Sequence, residues 1–269
     1  MFNGKRDVER AVRSALGQRP DAQVVLVDDC STDGTRELVL ALARGDPRIV
    51  GILLTVNRGQ AYARNVGVGA ADAPYVAFLD HDDEHLPGWY DHALEALDSR
   101  PEYVGVRGEI ELADLPPDIR VDRSDPRWPA IVNSVVWNVV MHKVVYQAAG
   151  GSPCGAAFRM REANEDWALT ETIKRHYLFA KSDYPAVRHY VGAGRTAYFL
   201  RRTRVTAGGF EFTENTPTES QGTLAEALAD YQERAAANVG LLRNPARPQA
   251  APRAPDGLVS RVMRKLTGG

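Results

Sequence analysis

Four consecutive residues, Asp80-His81-Asp82-Asp83, put three carboxylates on one short stretch of chain. Carboxylates this close repel one another, and a buried strand end makes the repulsion worse. A bound Mn²⁺ or Mg²⁺ would relieve it, because both take oxygen ligands and can bridge to substrate phosphates. The competing reading is an acidic loop that caps the following helix. Context favours the metal. The cluster follows the apolar run Tyr75-Val76-Ala77-Phe78-Leu79, and two other polar clusters follow apolar runs in the same way. These are Asp28-Asp29, after Val24-Val25-Leu26-Val27, and Asn57-Arg58-Gly59, after the run that starts at Ile49.

The elements between these clusters decide whether they meet. Val8, Ala11, Val12, Ala15 and Leu16 recur at helical spacing ahead of the first apolar run. Ser31-Thr32-Asp33-Gly34 then closes that strand and starts a helix carrying Leu38, Val39, Ala41 and Leu42. An Ala-rich helix is predicted from about Gln60 to Ala71, and Pro87 stands near the start of another carrying Trp89, Ala93, Leu94 and Leu97. Alternation of strand and helix predicts an α/β fold, a mostly parallel sheet with helices on both faces. In such sheets ligands bind outside the carboxyl ends of the strands. All three polar clusters fall at those ends and therefore share one rim.

The second half of the chain is less regular. Tyr103 to Leu112 is a further strand candidate, and residues 113–130, with Pro116-Pro117, Pro126 and Pro129, form an irregular excursion. Asn164 to Ile173 is a helix candidate with the acidic Glu165-Asp166 in its first turn, where they suit the dipole. Another helix is expected over Leu224 to Leu242, followed by a Pro/Ala/Arg linker from Asn244 to Asp256. Leu258, Val259, Val262, Met263 and Leu266 lie on one side of a short basic helix with Arg261, Arg264 and Lys265 around it, a pattern that suits an anionic membrane surface.

Composition excludes several classes. A net charge of -2 gives no electrostatic reason to expect nucleic acid as a partner. Two cysteines, Cys30 and Cys154, make no framework, so a reducing compartment is the default. With no apolar signal core and no spanning run, a cytoplasmic protein is expected, peripheral at the inner membrane face if the basic helix docks. Six histidines show no HExxH spacing, which argues against a zinc site. The tryptophans at 89, 128, 137 and 167 are core or acceptor-side aromatics.

The ordered motifs resemble those of family 2 glycosyltransferases of the GT-A type. Val27-Asp28-Asp29-Cys30-Ser31-Thr32-Asp33-Gly34-Thr35 is similar to that family's VDDgStDgT segment. Asn57-Arg58-Gly59 through Ala63-Arg64-Asn65-Val66-Gly67 resembles its N-x-G-x-x-x-ARN-x-G segment, Phe78 to Asp83 its fLDsDD metal motif, and Glu165-Asp166-Trp167-Ala168-Leu169 its EDwxL motif. The resemblance covers roughly residues 2 to 170. It implies a Rossmann-like nucleotide-diphospho-sugar transferase fold and transfer of a sugar, with inversion, to an acceptor hydroxyl. The acceptor class implied is a glycan, a lipid-linked sugar or a small molecule.

The resemblance also implies roles. Asp29 would accept a hydrogen bond from the nucleotide base, with Asp28 beside it, and Arg64 would face the diphosphate. Asp80 and Asp82 would hold the ribose and the metal, with Asp83 as a supporting ligand. Asp166 would be the general base, and Asn57, Gly59, Glu165 and Trp167 would support the site. The implied organisation is a GT-A domain over residues 1–215, split into a donor half to about 112 and an acceptor half from 113. A C-terminal helix over 216–243 and a tail over 244–269 follow.

Two departures matter. The family opens on a buried central strand, of which Met1-Phe2-Asn3 matches only the end. The simpler expectation is that coding sequence upstream supplies a Val/Ile-rich strand followed by a proline. The alternatives are a chain that has lost part of its donor site, or one that recruits a strand from its own C-terminal half or from a second copy. Relatives also carry an aromatic-Arg-x-His segment where this chain has Tyr198 to Thr203, with Thr203 at the histidine position. Arg201 or Arg202 would then contact the diphosphate instead. Two other classes stay open: a catalytically weak sugar-nucleotide-binding protein, and a nucleotidyltransferase on a similar sheet.

Overall fold

The structure, a computed structural model of the chain, describes residues 1–158, 165–213, 218–242 and 262–267. Helix α1 (Val8–Leu16) leads into strand β1 (Gln23–Asp28), and α2 (Thr35–Gly45) into β2 (Ile49–Leu53). Helix α3 (Gln60–Gly69), strand β3 (Tyr75–Asp80), the two-residue β4 (Glu84–His85), α4 (Trp89–Ser99) and β5 (Tyr103–Ala113) follow. The second half holds α5 (Trp128–Asn133), β6 (Val139–His142), α6 (Lys143–Ala148), α7 (Glu165–Lys174) and β7 (Leu178–Tyr190). Beyond it come α8 (Arg195–Arg201), the hairpin β8 (Thr203–Thr206) and β9 (Gly209–Phe212), α9 (Thr218–Leu242) and β10 (Val262–Thr267).

Strand period explains the two helix layers. Val24 and Leu26 of β1 enter one core with Ala77 and Leu79 of β3, where they meet Val8 and Val12 of α1 and Leu94 of α4. Val25 and Val27 enter the other with Val76 and Phe78, against Ala63 of α3, Val145 of α6 and Leu169 of α7. Continuous apolar runs are needed where both faces of a strand are dry. Each Val, Leu or Phe side chain among them contributes roughly 1.5–3 kcal/mol on burial. The rigid sheet edge that results is what holds the polar clusters in place.

The sheet order is β2-β1-β10-β3-β6-β5-β7-β4. Strands β2, β1, β10 and β3 run parallel. Strand β6 is antiparallel to both β3 and β5, and β7 is parallel to β5. The carboxyl ends of β1, β2, β3, β5 and β7 therefore open on one edge, the expected rim. Sequence pattern had not separated β6, α6, β7, α8 or the β8–β9 hairpin from irregular chain.

The C-terminus corrects one expectation. Val262–Thr267 is a strand, not part of a basic amphipathic helix, and it lies between β1 and β3 at the centre of the sheet. An isolated nine-residue helix is marginal in water, whereas a strand in this slot satisfies backbone groups of both neighbours. Of the routes to a missing central strand, the structure has the one in which the chain's own C-terminal half supplies it. The linker expected at 244–256 lies outside the described residues. Helix α9 lies within the C-terminal segment expected over 216–243 and begins ahead of the helical pattern that starts at Leu224. Its Leu224, Ala227 and Leu228 pack on Phe158 and Ala168, and the Tyr231 hydroxyl donates to the Gly151 carbonyl at 2.6 Å. Among the described residues, no helix is long and apolar enough to cross a membrane.

Candidate active site

At the end of β1, Asp29 organises the next loop. Its carboxylate accepts the backbone N–H groups of Arg58 at 2.8 Å and Gly59 at 2.7 Å, and Gly59 takes a φ of 82° that favours glycine. Asp28 is buried, and its Oδ2 accepts the Ser31 N–H at 3.1 Å and the Arg36 guanidinium at 2.9 Å. Asn57-Arg58-Gly59 is thus folded around Asp29, which links the first two polar clusters directly.

The acidic loop after β3 is held from two sides. On one, Arg10 and Ser14 lie four residues apart on one face of α1, and Gln18 follows just past the end of that helix. Arg10 donates to the Asp82 carbonyl at 2.6 Å, Ser14 Oγ accepts the His85 N–H at 3.0 Å, and Gln18 donates to the Leu86 carbonyl at 2.8 Å. On the other, β7 brings His189 Nδ1 to both oxygens of Asp83 at 2.9 Å, while the Tyr190 N–H donates to the same carboxylate at 3.0 Å. Asp83 is fully buried by these contacts, whereas the Asp82 side chain is 48% exposed. Asp82 faces outward and Asp83 braces it.

Charge follows from that packing. Burial, reinforced by Asp80 and Asp83, raises the Asp82 carboxyl above the usual range. Burial also raises Asp83, with His189 pulling the other way. At His189 burial opposes protonation, yet the Asp83 carboxylate outweighs it and raises the imidazole. Outward carboxylates that crowd one another fit a divalent cation, and their oxygens suit Mn²⁺ or Mg²⁺. Among the described residues, no group of three His, Cys, Asp or Glu is arranged to hold an ion alone. Asp80 and Asp82 would therefore share the cation with oxygens from a ligand, as Mg²⁺ sites on phosphates commonly do.

The third motif arrives through Arg64. This fully buried side chain from α3 pairs with Asp80 at 3.1 Å through Nη2 and with Asp166 of α7 through Nη1. Burial works against its charge, but Asp166 and Asp80 together raise its affinity for the proton. Burial pushes the Asp166 carboxyl up to about 7, against the pull of Arg64. Gln60 of α3 donates to Glu165, and Arg195 of α8 approaches Glu165 at 3.4 Å. The strand-end carboxylates and the α7 carboxylates are thus tied through one guanidinium. Arg64→Met would leave two carboxylates without their common partner and should cost about 3–5 kcal/mol by urea unfolding. A loss below about 1 kcal/mol, the range of a solvent-exposed pair, would show that the link does not hold in solution.

Residues 1–167 match the family described as Glycosyl transferase family 2. The chain belongs to that family. Among relatives, the succinoglycan biosynthesis protein ExoO of Rhizobium meliloti is 41% identical over 106 residues, which span 39% of this chain and 30% of ExoO. The chain thus matches less than a third of that relative's length. Among solved structures, TarS of S. aureus in complex with UDP superposes with a TM-score of 0.56 at 19% identity, covering 75% of this chain and 61% of that one. A mannosyltransferase of Pyrobaculum calidifontis in complex with GDP-Man and Mn²⁺ gives 0.55 at 17% identity, covering 90% and 73%. These likenesses establish the GT-A fold.

Within this family 2 domain, the residues to which the resemblance gave roles make the following contacts. Arg64, expected toward a diphosphate, is turned inward onto Asp80 and Asp166. Arg201 pairs with Asp118 at 2.8 Å and Arg202 with the Tyr198 hydroxyl, so both are engaged outside the carboxylate cluster. Thr203, at the expected histidine position, donates to the Phe199 carbonyl at 2.9 Å, and the histidine that hydrogen-bonds Asp83 is His189. Trp89, Trp128 and Trp137 are core residues, whereas Trp167, next to Asp166, is 40% exposed. Arg10, His189, Arg195 and Gln60 were missed by sequence reading. The one usable signal was Arg188-His189 near a strand end, and β7 had not been recognised as a strand.

Proposed function

We propose that this family 2 domain transfers a sugar from a nucleotide-diphospho-sugar to an acceptor hydroxyl with inversion, using Mn²⁺ or Mg²⁺ held by Asp80 and Asp82. The observation that carries this reading is Arg64, which couples Asp80, at the head of the acidic loop, to Asp166. One side then suits a donor diphosphate and the other an acceptor. In a single displacement, Asp166 takes the proton of the acceptor hydroxyl as its oxygen forms the new bond to the anomeric carbon. The bond from that carbon to the diphosphate breaks, and its electron pair stays on the phosphate oxygen. A carboxyl held near neutrality suits a general base. The cation, when bound, offsets the charge that develops on the leaving diphosphate.

Gln60 and Arg195 fix Glu165, and His189 and Tyr190 fix Asp83, so neither carboxylate competes for the substrate proton. The TarS and mannosyltransferase complexes, with UDP and with GDP-Man and Mn²⁺, favour a uridine or guanosine diphosphate donor. ExoO's part in succinoglycan biosynthesis favours a glycan acceptor, free or lipid-linked. Thermal-shift measurements with UDP, GDP and dTDP, each with and without Mn²⁺, test the reading, because a ligand of the native state raises Tm. Asp82→Ala should abolish the Mn²⁺-dependent part of nucleotide binding and leave the far-UV circular dichroism unchanged. Undiminished affinity of that variant in Mn²⁺ would remove Asp82 from the metal site.

A further inference from the structure

Resting on the glycosyl-transfer reading, we propose that Tyr231 of α9 is a positioning residue for Asp166, because it closes a ring of contacts that holds α7 against α3. Arg64 and Asn65 are neighbours on α3 and reach two different parts of the chain. Arg64 pairs with Asp166 of α7, whereas Asn65 grips the loop that follows α6. Its Nδ2 donates to the Ser152 carbonyl at 2.8 Å, and its Oδ1 accepts the Ser152 N–H at 2.8 Å. The buried Tyr146 hydroxyl donates to the same oxygen at 2.5 Å. Gly151 takes a φ of 74°, and a Cβ there would run into Asn65 Oδ1, so the grip requires glycine.

Helix α9, which lies beyond the residues that match the family, completes the ring. Its buried Tyr231 donates to the Gly151 carbonyl at 2.6 Å and meets Phe158 edge-on, with ring centres 6.3 Å apart. Leu224, Ala227 and Leu228 precede Tyr231 at the spacing of one helical face, and they pack on Phe158 and on Ala168, two residues after Asp166. Helix α7 is therefore anchored twice. Leu169 and Ile173 lie in the core against the sheet, and Ala168 lies under α9. The contacts run from Asp166 to Arg64, along α3 to Asn65, through Gly151 and Ser152 to Tyr231, and along α9 back to α7. Asp29 and Asp82 are held by other contacts and take no part in the ring. Loosening the ring would let α7 shift against α3, and a base misplaced by about 1 Å can lose on the order of a hundred-fold in rate.

Hydrolysis of UDP-glucose and GDP-mannose in Mn²⁺ tests the assignment, with water in place of the acceptor hydroxyl. Water gives its proton to Asp166 as its oxygen bonds to the anomeric carbon, and the nucleoside diphosphate leaves with the electron pair. Tyr231→Phe keeps the ring and removes one hydrogen bond, and it should lower the rate at saturating donor by about three- to ten-fold. Tyr231→Ala and Leu228→Ala also remove packing on Phe158 or Ala168, and should lower it by roughly ten- to a hundred-fold. All three should keep UDP or GDP affinity, by isothermal titration, within about two-fold of wild type. Amide hydrogen exchange should quicken in α7 relative to β1 and β3. Should the alanine variants fail to fold by circular dichroism, Tyr231→Phe decides alone. Unchanged hydrolysis or unchanged exchange in α7 overturns the proposal. So does a loss of nucleotide affinity in proportion to the loss of rate, which marks a merely structural role. A wild-type protein that binds neither UDP nor GDP overturns the glycosyl-transfer reading itself and this assignment with it. That outcome is distinct from turnover that ignores Tyr231.

Discussion

Asp166→Asn should lower sugar transfer by roughly a hundred- to ten-thousand-fold, the usual loss when a general base is removed. Asparagine nearly keeps the shape of the side chain and can still accept from Arg64, so the fold and donor binding should hardly change. Release of UDP or GDP from a sugar nucleotide in the presence of acceptor is the rate to follow, with titration of the bare nucleotide as the control. The pH profile gives a second readout. Burial raises Asp166, Glu165 and Asp80 raise it further, and Arg64 and Arg195 lower it, leaving the carboxyl at about 7. A raised carboxyl is protonated below that value and cannot take the acceptor's proton. The wild-type rate should therefore climb with pH through about 7 and level off above it, and the residual rate of Asp166→Asn should lose that step. Transfer near the wild-type rate in the variant would show that another group is the base.

What the sequence revealed of this site follows from how its parts are built. Two of the polar clusters were visible because each directly follows a run, Val24 to Val27 or Tyr75 to Leu79, that is buried on both faces, whereas Asn57-Arg58-Gly59 comes after the half-buried edge strand β2. Pattern and place along the chain coincide there. Asp166 was visible through its motif, although nothing local distinguishes it from a residue that merely opens a helix. Arg64 was visible as a residue but misplaced, because its pairing with Asp166 joins positions 102 residues apart. His189 was hidden for two reasons. Its partner Asp83 is 106 residues away, and β7 carries Lys181-Ser182-Asp183 across the stretch that alternation would need. Arg195 sits at the start of a seven-residue helix too short to leave a clear period. Local physics fixed the rim, and long-range packing fixed how the remaining residues meet it.

Deleting residues 258–269 should abolish cooperative unfolding, or lower Tm far beyond the effect of any surface change. Strand β10 pairs with β1 over four residues, from Gln23↔Met263 to Leu26↔Leu266, and with β3 over six, from Tyr75↔Val262 to Asp80↔Thr267. Its neighbours are the two strands whose side chains fill both cores, so the slot it leaves is not an outer edge that water can cover cheaply. Each buried backbone group without a partner costs on the order of 1–3 kcal/mol. Against a total stability of about 5–15 kcal/mol, several such groups suffice to unfold the domain. The register also joins this effect to function, since Thr267 stands opposite Asp80 at the carboxyl end of β3. Nucleotide affinity should fall with the fold. Lys265→Pro is the gentler variant, because proline removes one N–H and is poorly tolerated inside a sheet. It should lower Tm measurably while leaving the rest of the chain intact. A synthetic peptide of residues 258–269 added to the truncated chain should restore part of the lost Tm. If instead the truncated chain melts at the wild-type temperature and binds UDP or GDP unchanged, the slot between β1 and β3 draws no stability from the C-terminal strand.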